Sequence, residues 1–145
     1  MLREQRKADH IKYALELGDM TPKPIEYFEE RKHGLLGKSF YVSEKSDLPL
    51  TLREGLRVMD DKTRKTMLQT LGRFTAELHK RGFYPLDFTA GNFLVSEDGQ
   101  HMQMVDLNRM KRVRHVRSEQ VRKQFAKLPL SDEDLSIVLQ AYYKQ

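Results

Sequence analysis

Between Asp60 or Asp61 and Gly82 lies a long segment in which Met67, Leu71, Phe74 and Leu78 recur at helical spacing. A run with that period buries one face. An aspartate caps its start, and Gly82 stops it. The rest of the chain has to pack around this helix, so the flanking segments are read against it.

Upstream, Arg3 to Leu17 sets Ala8, Ile11 and Leu15 on one helical face among charges. Gly18 is a C-cap candidate, and Pro22 and Pro24 bar continuation. Ile25–Glu29 and Lys38–Glu44 are rich in aromatic and β-branched residues around a turn at His33-Gly34. They read as an antiparallel pair. Ser43 to Pro49 is polar and loop-like, and Leu50 to Met59 reads as a short helix. Downstream of Gly82 an irregular loop carries Asp87. Asn92–Ser96 and Met102–Leu107 then read as strands joined by a turn over Glu97–Gln100. Arg109 to Lys127 holds eight Lys or Arg and one acid, Glu119, and reads as a loop followed by a basic helix. Ser131 caps a last helix, with Asp132, Glu133 and Asp134 placed well against its dipole. Leu135, Val138, Leu139 and Tyr142 form its buried face. Helices with two small hairpins make an α+β pattern rather than an alternating one.

Composition narrows the classes. The chain has 145 residues, 39% of them hydrophobic, which supports one folded domain rather than a disordered tail. A net charge of +5 admits an anionic partner: nucleotide, phosphorylated sugar, anionic headgroup or nucleic acid. There is no cysteine, so neither disulfides nor cysteine-based metal sites are involved, and a reducing compartment suits the chain. No apolar run approaches the ~18 residues of a membrane span. The charged N-terminus is no signal peptide, so a cytoplasmic location is expected. The five histidines, His10, His33, His79, His101 and His115, are scattered without zinc-ligand spacing. Gly34 to Gly37 lacks the Lys-Ser/Thr of a phosphate loop and reads as a hairpin turn.

The chemistry concentrates in Asp87-Phe88-Thr89-Ala90-Gly91-Asn92 and in Asp106, fourteen residues further on. An isolated Asp and Asn at this spacing is also what turns and caps use. Here they stand in a fuller order: helix, Gly, loop, strand, acidic turn, strand, Asp. Phosphoryl transfer needs a carboxylate to orient a hydroxyl, and an amide and a second carboxylate to hold Mg²⁺. The hairpin is expected to bring Asn92 and Asp106 together at one edge, with Asp87 facing a cleft.

Leu78 to Val95, and Val105-Asp106-Leu107-Asn108-Arg109-Met110-Lys111-Arg112 beyond it, resemble the protein-kinase-like fold. Within it they resemble the bacterial lipopolysaccharide core kinases, which act on Kdo or heptose of the inner core. Asp106-Leu107-Asn108-Arg109 stands where typical kinases have Asp-Phe-Gly. Thr21–Ile25 and Lys38–Glu44 are similar to the strands that lead to the hinge between lobes. The similarity covers most of the chain, and the order of its parts is more specific than any one part. It implies a partial kinase-like fold: a remnant small lobe over residues 1–44 and a mainly helical large lobe over 45–145. By position it implies Asp87 as the catalytic aspartate and Asn92 and Asp106 as Mg²⁺ ligands. Ser43, Glu44 and Lys45 resemble the hinge whose backbone meets adenine. ATP and Mg²⁺ are the implied cofactors, and a sugar or glycolipid is the implied acceptor.

The departures from the family pattern are specific. The family's catalytic loop usually has His two residues before its Asp, where this chain has Pro85. The Gly-rich loop and the strand bearing the ATP-orienting Lys are expected before the first helix, where this chain begins. The Glu that pairs with that Lys has no clear match: Asp9, Glu4 and Glu16 compete. A fragment of a longer kinase is the favoured explanation, over a natural truncation that binds without catalysing and over a small lobe completed by another chain. Two other functions share the residues, a non-catalytic kinase-like binding module and a small-molecule kinase of the aminoglycoside phosphotransferase type. The basic run reads as a solvated helix face or as an anion-facing patch, which suits peripheral contact with an anionic inner membrane surface. Nucleic acid is disfavoured, because aromatics are not interleaved with the charges.

Overall fold

Helix α3 spans Asp61–Lys80, with Asp60 as its N-cap: the Asp60 carboxylate accepts from the Thr63 N–H at 2.8 Å. Met67, Leu68, Leu71 and Leu78 are fully buried along it. Gly82 follows at φ +89°, a left-handed turn that a side chain would oppose. A computed structural model describes residues 11–32, 35–107 and 109–144, with backbone alone for 25–32 and 35–42. The expected helix before residue 11, the turn at His33-Gly34 and Asn108 lie outside the described residues, as do Glu4, Ala8 and Asp9.

Before α3 come α1 (residues 11–17), a 3-10 turn Gly18–Met20 and strands β1 (Pro24–Lys32) and β2 (Leu35–Ser43). Strand β3 (Leu50–Thr51) and α2 (Leu52–Val58) complete this half. After α3 come β4 (Phe83–Pro85), a 3-10 turn Ala90–Asn92, β5 (Phe93–Val95), β6 (Met102–Met104) and β7 (Met110–Arg112). Helices α4 (Ser118–Phe125) and α5 (Asp132–Tyr143) close the chain. The strands form three small antiparallel sheets, β1-β2, β3-β5-β6 and β4-β7. This is an α+β fold compatible with the partial kinase-like arrangement expected. No helix of the described residues is long and apolar enough to cross a membrane.

Several local expectations need correction. Leu15 does not face the core: it is 67% exposed, and Ala14 and Leu17 are buried instead. The two stripes lie side by side on α1, and its docking partners choose between them. Tyr13 meets Phe83 edge-on at 5.3 Å, Glu16 pairs with Arg112, and the Arg81 guanidinium donates to the Leu17 carbonyl at 2.9 Å. Leu50 and Thr51 pair with β5 rather than opening a helix, because Thr51 is the N-cap of α2 in a capping box with Glu54. Asn92 belongs to a 3-10 turn, and β6 stops at Met104 instead of reaching Leu107. The stretch from Met110 to Arg112, expected as loop, is strand β7, drawn out by pairing with β4.

Helices α3 and α5 lie side by side in the same direction. Arg64 near the start of α3 holds Asp134 near the start of α5 in a two-point ion pair, and His79 near the end of α3 meets Tyr142 near the end of α5. Between them Gly72 allows the backbones to close: a Cβ there would lie 2.4 Å from the Val138 carbonyl oxygen and 2.8 Å from the Ala141 Cβ. Gly72→Ala is expected to lower stability by about 1–3 kcal/mol, the usual cost of overfilling a packed contact. Urea denaturation checks this, and an unchanged midpoint would mean that the helices separate freely.

Candidate active site

Two backbone pairings build the site. The β5–β6 hairpin aligns Phe93 with Met104, and the Val105 N–H donates to the Asn92 carbonyl at 2.8 Å. Asn92 and Asp106 thus stand next to the same end of the hairpin. The β4–β7 pair aligns Pro85 with Met110, and the Leu86 N–H donates to the Arg109 carbonyl at 3.0 Å. The loop carrying Asp87 is thereby laid beside the segment carrying Asp106. Asn92 closes the set: its Nδ2 donates to the Asp87 carbonyl at 3.3 Å. Asp106 holds φ +62° and Arg109 φ +59°, the left-handed region in which non-glycine residues are strained.

Phe88 anchors the loop. It is fully buried, edge-on to Phe93 at 4.9 Å and to Phe125 at 5.7 Å. With Phe88 turned inward, Asp87 is left half-buried at the surface, where Arg109 reaches its Oδ1 at 3.0 Å. The Arg53 guanidinium lies 3.5 Å from where a side chain at Gly91 would begin. Two cations therefore flank the loop.

The donor set fits a hard cation. With its nitrogen on the Asp87 carbonyl, Asn92 has its oxygen left to offer, and Asp106 offers a carboxylate. Among the described residues no group of three or more His, Cys, Asp or Glu is arranged to hold a metal. Two protein oxygens, with phosphate and water filling the rest, is how Mg²⁺ is usually held. The hinge residues Ser43, Glu44 and Lys45 are exposed, and the Glu44 N–H donates to the Lys23 carbonyl at 2.8 Å. Next to them, the Ser46 hydroxyl donates to the Gln103 side-chain oxygen at 2.6 Å, and Gln103 Nε2 donates to the Asp19 carbonyl at 3.2 Å. Gln103 so ties both connections of the β1–β2 hairpin to β6. A cleft of about 530 Å³ opens there, lined by Asp19, Asp47, Arg73, His101 and Gln103, toward the turn end of the β5–β6 hairpin and away from Asn92.

The support expected from a histidine at position 85 comes from another source. The Pro85 carbonyl accepts from Gln124 Nε2 at 2.7 Å. Gln124 Oε1 is 2.5 Å from His79 Nε2, and His79 Nδ1 is 2.6 Å from the Tyr142 hydroxyl. Directions follow from the ends. Pro85 needs a donor, so the Gln124 oxygen faces His79 and accepts from Nε2–H, which leaves Nδ1 to accept from Tyr142. Burial lowers the His79 pKa to about 4, against a smaller upward pull from Gln124. Burial also pushes the Tyr142 hydroxyl up to about 12. Both groups are therefore neutral at pH 7, as this chain of bonds requires. Gln124 and Lys127 gave no signal in the sequence, because a glutamine and a lysine on a basic helix look solvated. Arg53 and Arg109 were equally indistinct among many cations.

A neutral buried imidazole makes stability depend on pH. Its folded pKa, about 4, lies below the ordinary 6.5. The unfolded chain therefore takes up a proton between these values that the folded one resists. The stabilisation is complete above pH 6.5 and is lost as pH falls toward 4, by on the order of 2 kcal/mol at pH 5. Urea denaturation at pH 7 and pH 5 should show a smaller loss in His79→Gln than in the parent chain. Equal losses would place the titrating group elsewhere.

A family model described as the lipopolysaccharide kinase (Kdo/WaaP) family matches residues 1–142. No curated protein and no solved structure matches the chain.

Proposed function

The chain belongs to the lipopolysaccharide kinase (Kdo/WaaP) family, and we propose that it moves a phosphoryl group from Mg·ATP to a sugar hydroxyl of the lipopolysaccharide inner core. The observation that carries this reading is the convergence of Asp87, Asn92 and Asp106, through the Asn92 bond to the Asp87 carbonyl and the Val105 bond to the Asn92 carbonyl. In this reading Asp87 orients the acceptor hydroxyl and takes its proton. Asn92 and Asp106 hold Mg²⁺, which when bound offsets the charge of the phosphates. Arg53 and Arg109 lie where phosphate or an anionic acceptor would approach, and Arg109 leaves Asp87 when the acceptor enters. Adenine meets the backbone of Ser43, Glu44 and Lys45, with the Glu44 N–H already donating to the Lys23 carbonyl. Residues 1–44 act as the small lobe and 45–145 as the large one. The work is done at the cytoplasmic face of the inner membrane, with exposed cations such as Arg114, Arg117, Arg122 and Lys123 against anionic headgroups.

The Arg109–Asp87 ion pair favours a second reading, a binding module in which the aspartate is spent on its own arginine. Thermal unfolding and turnover separate the two. Mg·ATP at a hundred times its dissociation constant should stabilise a binding-competent chain by about 2.7 kcal/mol. Asp106→Asn should abolish that shift, and an undiminished shift would refute the metal assignment. Asp87→Ala should keep the shift and lose phosphorylation of an inner-core acceptor. A shift without turnover in the parent chain would leave the binding module standing.

A further inference from the structure

Helix α4 and the residues just after it form a basic segment to which the proposed chemistry assigns no step, yet two of its side chains reach the backbone beside Asp87. Gln124 Nε2 donates to the Pro85 carbonyl at 2.7 Å, and Lys127 Nζ donates to the Leu86 carbonyl at 2.9 Å. Gln124 and Lys127 are three residues apart, so they lie on one face of the helical turn that ends α4. The two carbonyls they hold are successive.

We infer that Gln124 and Lys127 are positioning residues that set the direction of Asp87 by fixing the two peptide planes that precede it. Each peptide unit is rigid and planar, so holding it at both its carbonyl and its N–H restrains the whole plane. The plane between Pro85 and Leu86 is held at both ends, its carbonyl by Gln124 and its N–H by the Arg109 carbonyl at 3.0 Å. The plane between Leu86 and Asp87 is held at its carbonyl by Lys127. With the first plane set and the second held at its carbonyl, the Asp87 Cα is placed, and its Cα–Cβ direction then depends only on its own φ. Beyond Asp87, Asn92 holds the next carbonyl and Phe88 is sunk in the core.

The clamp has a fixed base. Val121 and Phe125 anchor α4 in the core, and Gln124 is fully buried, its side-chain oxygen held by His79, which Tyr142 holds in turn. Lys127 is exposed and reaches its carbonyl from the surface. One contact is therefore built into the interior and the other is adjustable. The basic segment is in part spent on the catalytic loop rather than offered whole to a partner.

The inference rests on Asp87 as the catalytic aspartate, and two readouts keep the two claims apart. The first is amide hydrogen exchange in Gln124→Met and Lys127→Met, which needs no activity. Exchange over residues 86–92 should rise by at least about tenfold in each, with α3 amides within about twofold of the parent chain. The second is hydrolysis of Mg·ATP, with water in the acceptor's place. The rate constant kcat should fall by about tenfold to a hundredfold while KM for Mg·ATP stays within about twofold, because nucleotide contacts are untouched. Lys127→Met alters an exposed side chain, so it reports even where Gln124→Met does not fold. Unchanged exchange over residues 86–92 in folded Lys127→Met, or exchange raised equally in the loop and α3, overturns the clamp. Unchanged hydrolysis in Asp87→Ala removes the catalytic reading of Asp87 but leaves the exchange result to judge the clamp.

Discussion

The close packing of α5 on α3 at Gly72 determines where the parts of the site lie. A side chain at that position would meet the Val138 carbonyl and Ala141, so only the missing Cβ lets the two helices approach. Once they do, Tyr142 reaches His79, and the bonds continue through Gln124 to the Pro85 carbonyl. A contact between two helix backbones is thereby transmitted to the residue two places before Asp87. The ion pair of Arg64 and Asp134 sets the register at the other end of the same helix pair, and Arg64 holds the Asp134 carboxyl below the usual carboxylate range.

Polar groups inside an apolar core demand complete pairing. An unsatisfied buried donor or acceptor costs about 1–3 kcal/mol, more than a typical hydrogen bond contributes. Among the described residues no buried side-chain nitrogen or oxygen is left without a partner. His79, stacked on Tyr84 at 5.6 Å, and Tyr142, edge-on to Phe125 at 6.1 Å, can therefore sit among aromatic rings with Gln124, but only in one arrangement. That is how such a network confers rigidity on the loop it supports. Arg112 does similar work at the other face: it pairs with Glu16 and lies 4.3 Å over the Phe83 ring, which fastens α1 to the β4–β7 sheet. Arg109, Arg112 and Lys127 are thus occupied within the molecule, so the basic segment is less of a free surface than its charge suggests.

Elements with strong period or punctuation were legible in the sequence. The long helix with its aspartate cap, the final helix with Ser131, the β1–β2 pair and the β5–β6 hairpin all stand within a few residues of their expected bounds. Legibility failed where a choice belonged to the partner. Leu15 and the Ala14–Leu17 stripe are equally good helix faces, and only Phe83 and Arg112 decide which is covered. Strand β7 has no alternation of its own, and it exists because β4 presents a pairing edge. Gln124 reads as one more polar residue on a charged helix until Pro85 and His79 are placed on either side of it.

The sequence by itself determined the chemistry on offer. Asp87, Asn92 and Asp106 are oxygen donors in an order that a local turn and the β5–β6 hairpin can begin to bring together, and the β4–β7 pairing then lays the Asp87 loop beside Asp106. Their residue types suit a hard cation and proton transfer to a carboxylate. Only the tertiary structure decided how those groups are held and by what. The bonds from Gln124, Lys127 and Arg109 to the Asp87 loop span 39, 41 and 22 residues. Contacts at that range leave no local pattern, since their geometry comes from the packing of α3, α4 and α5 rather than from the spacing of residues along the chain.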